Sequence, residues 1–396
     1  MNSTECIVFG DRYLMNTYSR APVVLARGEG ARVWDVDGRE YLDFLAGIAV
    51  CNLGHAHPKV TEAVANQAGN LVHVSNLYYT EPQVRLARVL VENSFADKVF
   101  FCNSGTEANE AAIKLARRYG YETTGGKRYE IITMKGSFHG RTLAALTATG
   151  QDRHKVGFEP LLPGFRHIPY DDVEALEEAI SGRTCAVMVE PIQGEGGVRL
   201  PAADYLGQVR DICNRNGLLL IYDEVQTGMG RTGRLFAHEE SGAAPDIMTL
   251  AKALGNGFPV GAMLATERAA SVFTPGTHAS TFGGNPMAMA ASLATMEVML
   301  SGGVLENVNT VGQYFMERLR ETAARHPVVT EVRGRGLMLG VELDREGAPV
   351  VAKALEEGLL MNCTAGNVLR FLPPLIIQKE DVDQAVDILN RCMGEL

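Results

Sequence analysis

Lys252 stands in the stretch "IMTLAKALGNGFPVGAML", where an apolar run gives way to Gly255, Gly257, Pro259 and Gly261. A lysine on an apolar segment rather than a solvated face is unusual, because burying its charge is costly. Desolvation lowers its pKa and leaves an amine able to form a Schiff base with a carbonyl. Asp223 closes a second apolar run, "LLLIYD", at the carboxyl end of an expected strand, where open α/β sheets place their ligands. In "FFCNSGTEANEAAIKLARRYG" another run passes through Ser104, Gly105 and Thr106 directly into a helical pattern. Small, hydroxylated residues at a helix N-terminus present unpaired N–H groups and the positive dipole end to one phosphate. "KGSFHGRT" adds Phe138, His139 and Arg141 just beyond a third strand.

Each feature has a bland alternative: a strand-end acid can cap a turn, and Ser104 can be an ordinary N-cap. Together, a Schiff-base lysine, a strand-end acid, a single-phosphate site and an aromatic ring match what pyridoxal 5'-phosphate requires. The lysine takes the aldehyde, the acid keeps the pyridine nitrogen protonated, and the helix holds the phosphate. A competing signal follows Asp223, where Gly228, Gly230 and Gly233 spell G-x-G-x-x-G. A dinucleotide fold needs those glycines in the first turn after the strand and opening a helix. Here "DEVQT" intervenes and "RTGRLFAHEE" has no amphipathic start, so the glycines read as a flexible loop. The absence of G-K-[ST] likewise argues against a nucleoside triphosphate.

These residues need a scaffold of alternating strands and helices. Short apolar runs at 98–103, 129–134, 185–190 and 218–222 alternate with helical patterns at 107–120 and 203–217. That alternation predicts a mostly parallel sheet with helices on both faces, its buried strands reading as near-continuous apolar runs. Ahead of it, 30–44 reads as a hairpin turning at Asp37 and Gly38. Beyond about 285 the chain reads as helical, and then 333–343 and 368–377 read as strands of a smaller α+β unit. The expected division is 1–50 as part of a small domain, 51–290 as the large cofactor-binding domain, and 291–396 as the rest of the small one.

The chain of 396 residues has a net charge of −10 and no Lys/Arg run, which argues against a nucleic-acid partner. No apolar run approaches the ~20 residues that span a bilayer, and the first residues lack a secretory pattern, so the cytoplasm is expected. Seven cysteines, scattered and never spaced C-x-x-C, read as free thiols in a reducing compartment. His55 and His57 in "GHAHP" have no further ligand nearby and read as a turn before a helix; no metal site is expected.

Six segments in order, "NSGTEANE", "SFHGRT", "EPIQGEGG", "YDEVQTGMGRTG", "LAKALGNGFPVGA" and "STFGGNP", resemble the motifs of the class III pyridoxal-phosphate-dependent aminotransferases. The likeness runs from about Tyr18 to the C-terminal "LRFLPPLI". It departs slightly at Ala279, where glycine is usual, and at Asn256. The resemblance implies the fold-type I architecture: a large domain around a mostly parallel seven-stranded sheet, with a small α+β domain built from both termini. It implies that Lys252 binds the cofactor aldehyde and later moves protons, while Asp223 pairs with the ring nitrogen and Gln226 reaches the phenolic oxygen. By the same likeness Phe138 stacks on the ring, Gly105 and Thr106 bind the phosphate, and Thr281 reaches it from a neighbouring subunit. A homodimer with sites at its interface is therefore implied. Tyr18 and Arg141 would hold the substrate's distal carboxylate, Ser280 would join the substrate site, and Glu195 and Arg370 would form a switchable pair. The implied substrates are acetylornithine and 2-oxoglutarate, with ornithine, succinylornithine, N-succinyldiaminopimelate and 4-aminobutyrate as alternative amine donors that share the same cofactor residues.

Overall fold

Along the strand Leu219–Asp223, Leu219 and Ile221 point into one apolar cluster while Leu220 and Tyr222 point into another. Successive side chains of a strand alternate faces, so an unbroken apolar run is what a strand covered on both sides requires. The structure, a computed structural model, describes residues 1–394.

Three strands come first: β1 (Leu25–Glu29), β2 (Arg32–Asp35) and β3 (Glu40–Asp43), the last two forming the expected hairpin about Asp37 and Gly38. The large sheet follows, from β4 (Lys98–Cys102), β5 (Glu130–Met134), β6 (Phe165–Ile168), β7 (Thr184–Val189), β8 (Leu219–Asp223), β9 (Ile247–Leu250) and β10 (Gly261–Ala265). Its order is β4-β10-β9-β8-β7-β5-β6, and only β10 runs against its neighbours. Sequence order reverses at β5, which has β6 on one side and β7 on the other, and the carboxyl ends of the parallel strands open onto a crevice. One face is covered by the helix Gly105–Thr124 and the other by the helices Val173–Ala179 and Tyr205–Asn216.

The remaining strands are β11 (Val329–Arg335), β12 (Met338–Leu343), β13 (Leu359–Leu360), β14 (Asn362–Thr364) and β15 (Val368–Phe371). β13 joins the N-terminal hairpin by pairing parallel with β3, so one sheet draws on both ends of the chain. β11, β12, β15 and β14 form a second antiparallel sheet.

Three expectations need correction. The segment 333–343 is not one strand but the end of β11, a two-residue turn and β12; Gly336, at φ +56°, makes the reversal. The run 368–377 leaves the sheet at Phe371, because Pro373 and Pro374 bring no N–H to a ladder. The loop carrying Gly228, Gly230 and Gly233 is irregular as expected but not flexible in its setting, since nearly all of it is buried. Arg231, fully buried, donates to the carbonyls of Leu337 and Pro373 at 2.9 and 2.6 Å and to Asn52 Oδ1. A charge in that position ties the loop to the small sheet, because leaving its donors unmet would be costly.

Candidate active site

The helix Gly105–Thr124 begins at the end of β4, and its start is fixed by the N-cap Ser104 and by Glu107. Ser104 Oγ accepts from Glu107 N–H at 3.3 Å, and Glu107 Oε2 accepts from Asn103 N–H at 3.1 Å. The N–H groups of Gly105 and Thr106 are left facing a cavity of about 400 Å³ at the carboxyl edge of the sheet. Gly140, at φ +135°, lies against this helix start; a Cβ there would meet Thr106 Oγ1 at 2.3 Å. Only glycine lets the two loops close the cavity wall.

Asp223 forms the floor, buried at the end of β8. Its Oδ2 accepts from Asn109 Nδ2 and from His139 Nδ1, each at 2.8 Å, and its Oδ1 accepts from Val225 N–H at 3.0 Å. Asn109 is fixed in turn by Thr249 Oγ1, which donates to its Oδ1 at 2.7 Å. Burial works against a charge on His139, but its hydrogen bond to Asp223 and that carboxylate's charge prevail, raising its pKa. The structure thus supplies an anionic carboxylate with its orientation locked.

Lys252 follows β9 and lies opposite, at φ +46° in the left-handed region. That conformation is strained for a non-glycine residue, and such strain collects at functional sites. Burial pushes its ammonium down to about 8, against the opposing field of Glu195. The amine is therefore far easier to deprotonate than an exposed lysine.

Glu195 and Arg370 form the expected pair. Arg370 Nη1 donates to Glu195 Oε1 at 2.6 Å and to Gln226 Oε1 at 3.4 Å, and its Nε donates to Asn362 Oδ1 at 3.2 Å. β15 carries Arg370 between Gly340 and Asn362 of its neighbouring strands. Its side chain is wholly buried while that of Glu195 is 29% exposed, and Nη2 of Arg370 has no partner among the described residues. Burial alone would raise the Glu195 pKa, but the charge and hydrogen bond of Arg370, with smaller help from Lys252 and Gln226, together hold the carboxyl below its ordinary range.

Phe138, Arg141, Gln226, Gly105 and Thr106 line the same cavity, with the Arg141 guanidinium 5.6 Å from the centre of the Phe138 ring. Not all expected residues meet there. Tyr18 is 70% exposed at a bend in an irregular segment and is not part of the lining. Thr281 is exposed and, with Ser280, borders a different cavity; Ser280 Oγ touches the site only through Asn103 Nδ2, at 3.3 Å.

Sequence reasoning passed over three groups. Glu190 ends the apolar run of β7 much as Asp223 ends β8, a signal that was available. Asn109 interrupts a helix interior with a poor helix former, a fainter one. His139 was noticed, but nothing in its spacing revealed its bond to Asp223. His55 and His57 do sit in a turn before a helix: His57 precedes Pro58–Ala68, and His55 Nε2 meets Asp43 Oδ2 at 2.7 Å.

The residues present fit pyridoxal 5'-phosphate. Asp223 already holds two donors on one oxygen and has room on its cavity side for a cationic ring nitrogen. The helix start suits one phosphate, and Lys252 has a depressed pKa within the same enclosure.

A family model described as aminotransferase class-III matches residues 13–393. The acetylornithine aminotransferase of Caldanaerobacter subterraneus subsp. tengcongensis is 56% identical, over 98% of this chain and 99% of its own. That of Methanocaldococcus jannaschii is 50% identical over 100% of both. Among solved structures, the ornithine aminotransferase of Toxoplasma gondii superposes with a TM-score of 0.96 at 37% identity, covering 100% of this chain and 96% of that one. The acetylornithine aminotransferase of Elizabethkingia anophelis gives 0.90 at 36% identity, covering 100% of both. With these likenesses over the whole chain and that cavity at the sheet's carboxyl edge, the chain belongs to the class III aminotransferases, pyridoxal-phosphate-dependent enzymes of fold-type I.

Proposed function

We propose that this enzyme moves the distal amino group of N2-acetyl-L-ornithine to 2-oxoglutarate, yielding N-acetyl-L-glutamate 5-semialdehyde and L-glutamate in arginine synthesis. The names of the curated relatives support that donor. The observation that carries the reading is the Glu195–Arg370 pair, a buried guanidinium with one unfilled donor and a carboxylate that can leave it.

When bound, pyridoxal 5'-phosphate supplies an aldehyde and an electron-withdrawing ring that stabilises charge at the reacting carbon. In this reading Lys252 would hold the cofactor's aldehyde, and its readily deprotonated amine would carry the proton at the reacting carbon. Asp223 keeps the ring nitrogen protonated, Gln226 meets the phenolic oxygen, Phe138 covers a ring face, and Gly105 and Thr106 hold the phosphate. Arg141, with Tyr18, binds the carboxylate distal to the reacting amine in either substrate, and Ser280 borders the substrate.

We place Thr281 on the phosphate of a second copy's cofactor, which makes the working unit a homodimer. Exposed Leu77, Tyr78, Tyr79 and Phe282 support such a contact, since large apolar side chains grouped on a surface favour association. We divide the chain at about 50 and 290, as the sheet shared by β1–β3 and β13 suggests. The free thiols of Cys6, Cys51, Cys102, Cys185, Cys213 and Cys363 support a reducing cytoplasm.

Ornithine is the alternative donor, supported by the likeness to ornithine aminotransferases. A screen of candidate amines against the visible absorbance of the loaded enzyme tests the assignment. Acetylornithine should bleach the band fastest; a much faster response to ornithine or 4-aminobutyrate would overturn it.

A further inference from the structure

Two carboxyls and one imidazole share the cavity floor. Asp223 Oδ2 and His139 Nδ1 lie 2.8 Å apart, and although burial opposes it, this contact raises the imidazole's pKa. Glu190, 6% exposed, is a third ionisable group lining the same cavity. Its Oε2 accepts from the N–H of Phe138 at 3.0 Å and its Oε1 from that of Gly194 at 3.4 Å, so the hydrogen bonds it receives come from backbone. No ion pair to it occurs among the described residues. The charges facing it are His139 from the loop after β5, Asp223 from β8 and Lys252 from the turn after β9, with the phenol of Tyr170 donating to its backbone carbonyl at 3.2 Å. The imidazole is itself incompletely met, because His139 Nε2 is buried without a partner.

A buried acid lacking a cation of its own is stable as the neutral form. Burial pushes the Glu190 carboxyl up to about 7, with His139 opposing and Asp223 reinforcing the rise. A cation arriving on Asp223 changes the balance. Two acids then face two cations, and the His139 charge no longer belongs to Asp223 alone.

We propose that Glu190 is a cofactor-positioning residue that releases its proton to solvent when a cationic pyridine nitrogen docks on Asp223. The loaded cavity then holds two neutral pairs, ring with Asp223 and His139 with Glu190. This rests on the reading of the cavity as a pyridoxal-phosphate site.

Pyridoxamine 5'-phosphate, which has no aldehyde to react with Lys252, is the probe. Calorimetry in buffers of different ionisation enthalpy counts the protons exchanged when it binds the cofactor-free full chain. Below the pH at which Glu190 ionises, the wild type should release about one proton per site more than Glu190→Gln, and well above it the difference should vanish. Relative to the variant, wild-type affinity should rise with pH by up to about tenfold per unit across that window. An infrared difference spectrum of the wild type should lose a protonated-carboxyl band on docking, a readout that stands even if the variant fails to fold. Equal proton counts, or an unchanged carboxyl band, would overturn the role of Glu190 while leaving the cofactor site intact. Failure of the probe to bind the wild type would overturn the cofactor site itself.

Discussion

Lys252 combines three properties in one residue: a strained backbone, enclosure by protein, and an amine that titrates near 8. Its neutral form is the nucleophile, so the rate at which cofactor-free protein captures pyridoxal phosphate should climb about tenfold per pH unit and level off near 8. Stopped-flow absorbance would follow this, and a climb continuing towards 10.5 would mean an ordinary lysine. Lys252→Ala should abolish turnover yet keep some cofactor affinity, because the phosphate and ring contacts remain; wild-type turnover in that variant would remove the assignment. Asp223 acts by charge. A charge-assisted hydrogen bond is worth about 1.5–3 kcal/mol, so Asp223→Asn should slow the first half-reaction by more than about tenfold. A rate within a factor of two or three of wild type would give Asp223 another role. The lysine and the aspartate were legible in the sequence, because residue type and position after an apolar run betray them, whereas the switch pair came only from the resemblance to a family. His139 and Asn109 were not, since their meaning lies in contacts across 84 and 114 positions of chain that no spacing encodes.

At the scale of elements, the large sheet was the readable part. Continuous apolar runs identify strands covered on both faces, and four of the seven strands could be placed, with two of the helices beside them. What escaped was local chemistry inside apolar stretches. The turn at Gly336 sits within a run that reads as one strand, and the prolines after Phe371 end another. The buried loop around Arg231 escaped for a different reason: glycines advertise flexibility, whereas its order comes from partners on Asn52, Leu337 and Pro373. Leu220 offers a stability test, being fully buried in β8 between two strands. Leu220→Ala should cost about 2–5 kcal/mol in denaturant unfolding, the range for a cavity left by a buried leucine. A loss under 1 kcal/mol would mean that the sheet is not the rigid platform on which Asp223 depends.

At the scale of the molecule, an exposed Thr281 that does not line the cavity of its own chain makes sense if cofactor binding is shared between copies. Thr281→Ala should then weaken cofactor affinity severalfold, and dilution that separates the copies should do the same in the wild type. Unchanged affinity in both titrations would leave Thr281 without that role.

The central claim is that one site accepts two unlike substrates by opening and closing the Glu195–Arg370 pair. Glutamate and 2-oxoglutarate carry a carboxylate beside the reacting carbon, whereas acetylornithine has only hydrogens there. With acetylornithine bound, Arg370 would be a buried charge without a partner unless Glu195 covers it, as it does at 2.6 Å. On this account an incoming α-carboxylate would displace Glu195 and take both terminal guanidinium nitrogens, including the unfilled Nη2. Single-turnover rates of both half-reactions in Glu195→Ala and Arg370→Ala test this most directly. Glu195→Ala should favour the glutamate half and weaken the acetylornithine half, and Arg370→Ala should damage the glutamate half most; equal losses in both halves for both variants would contradict the switch.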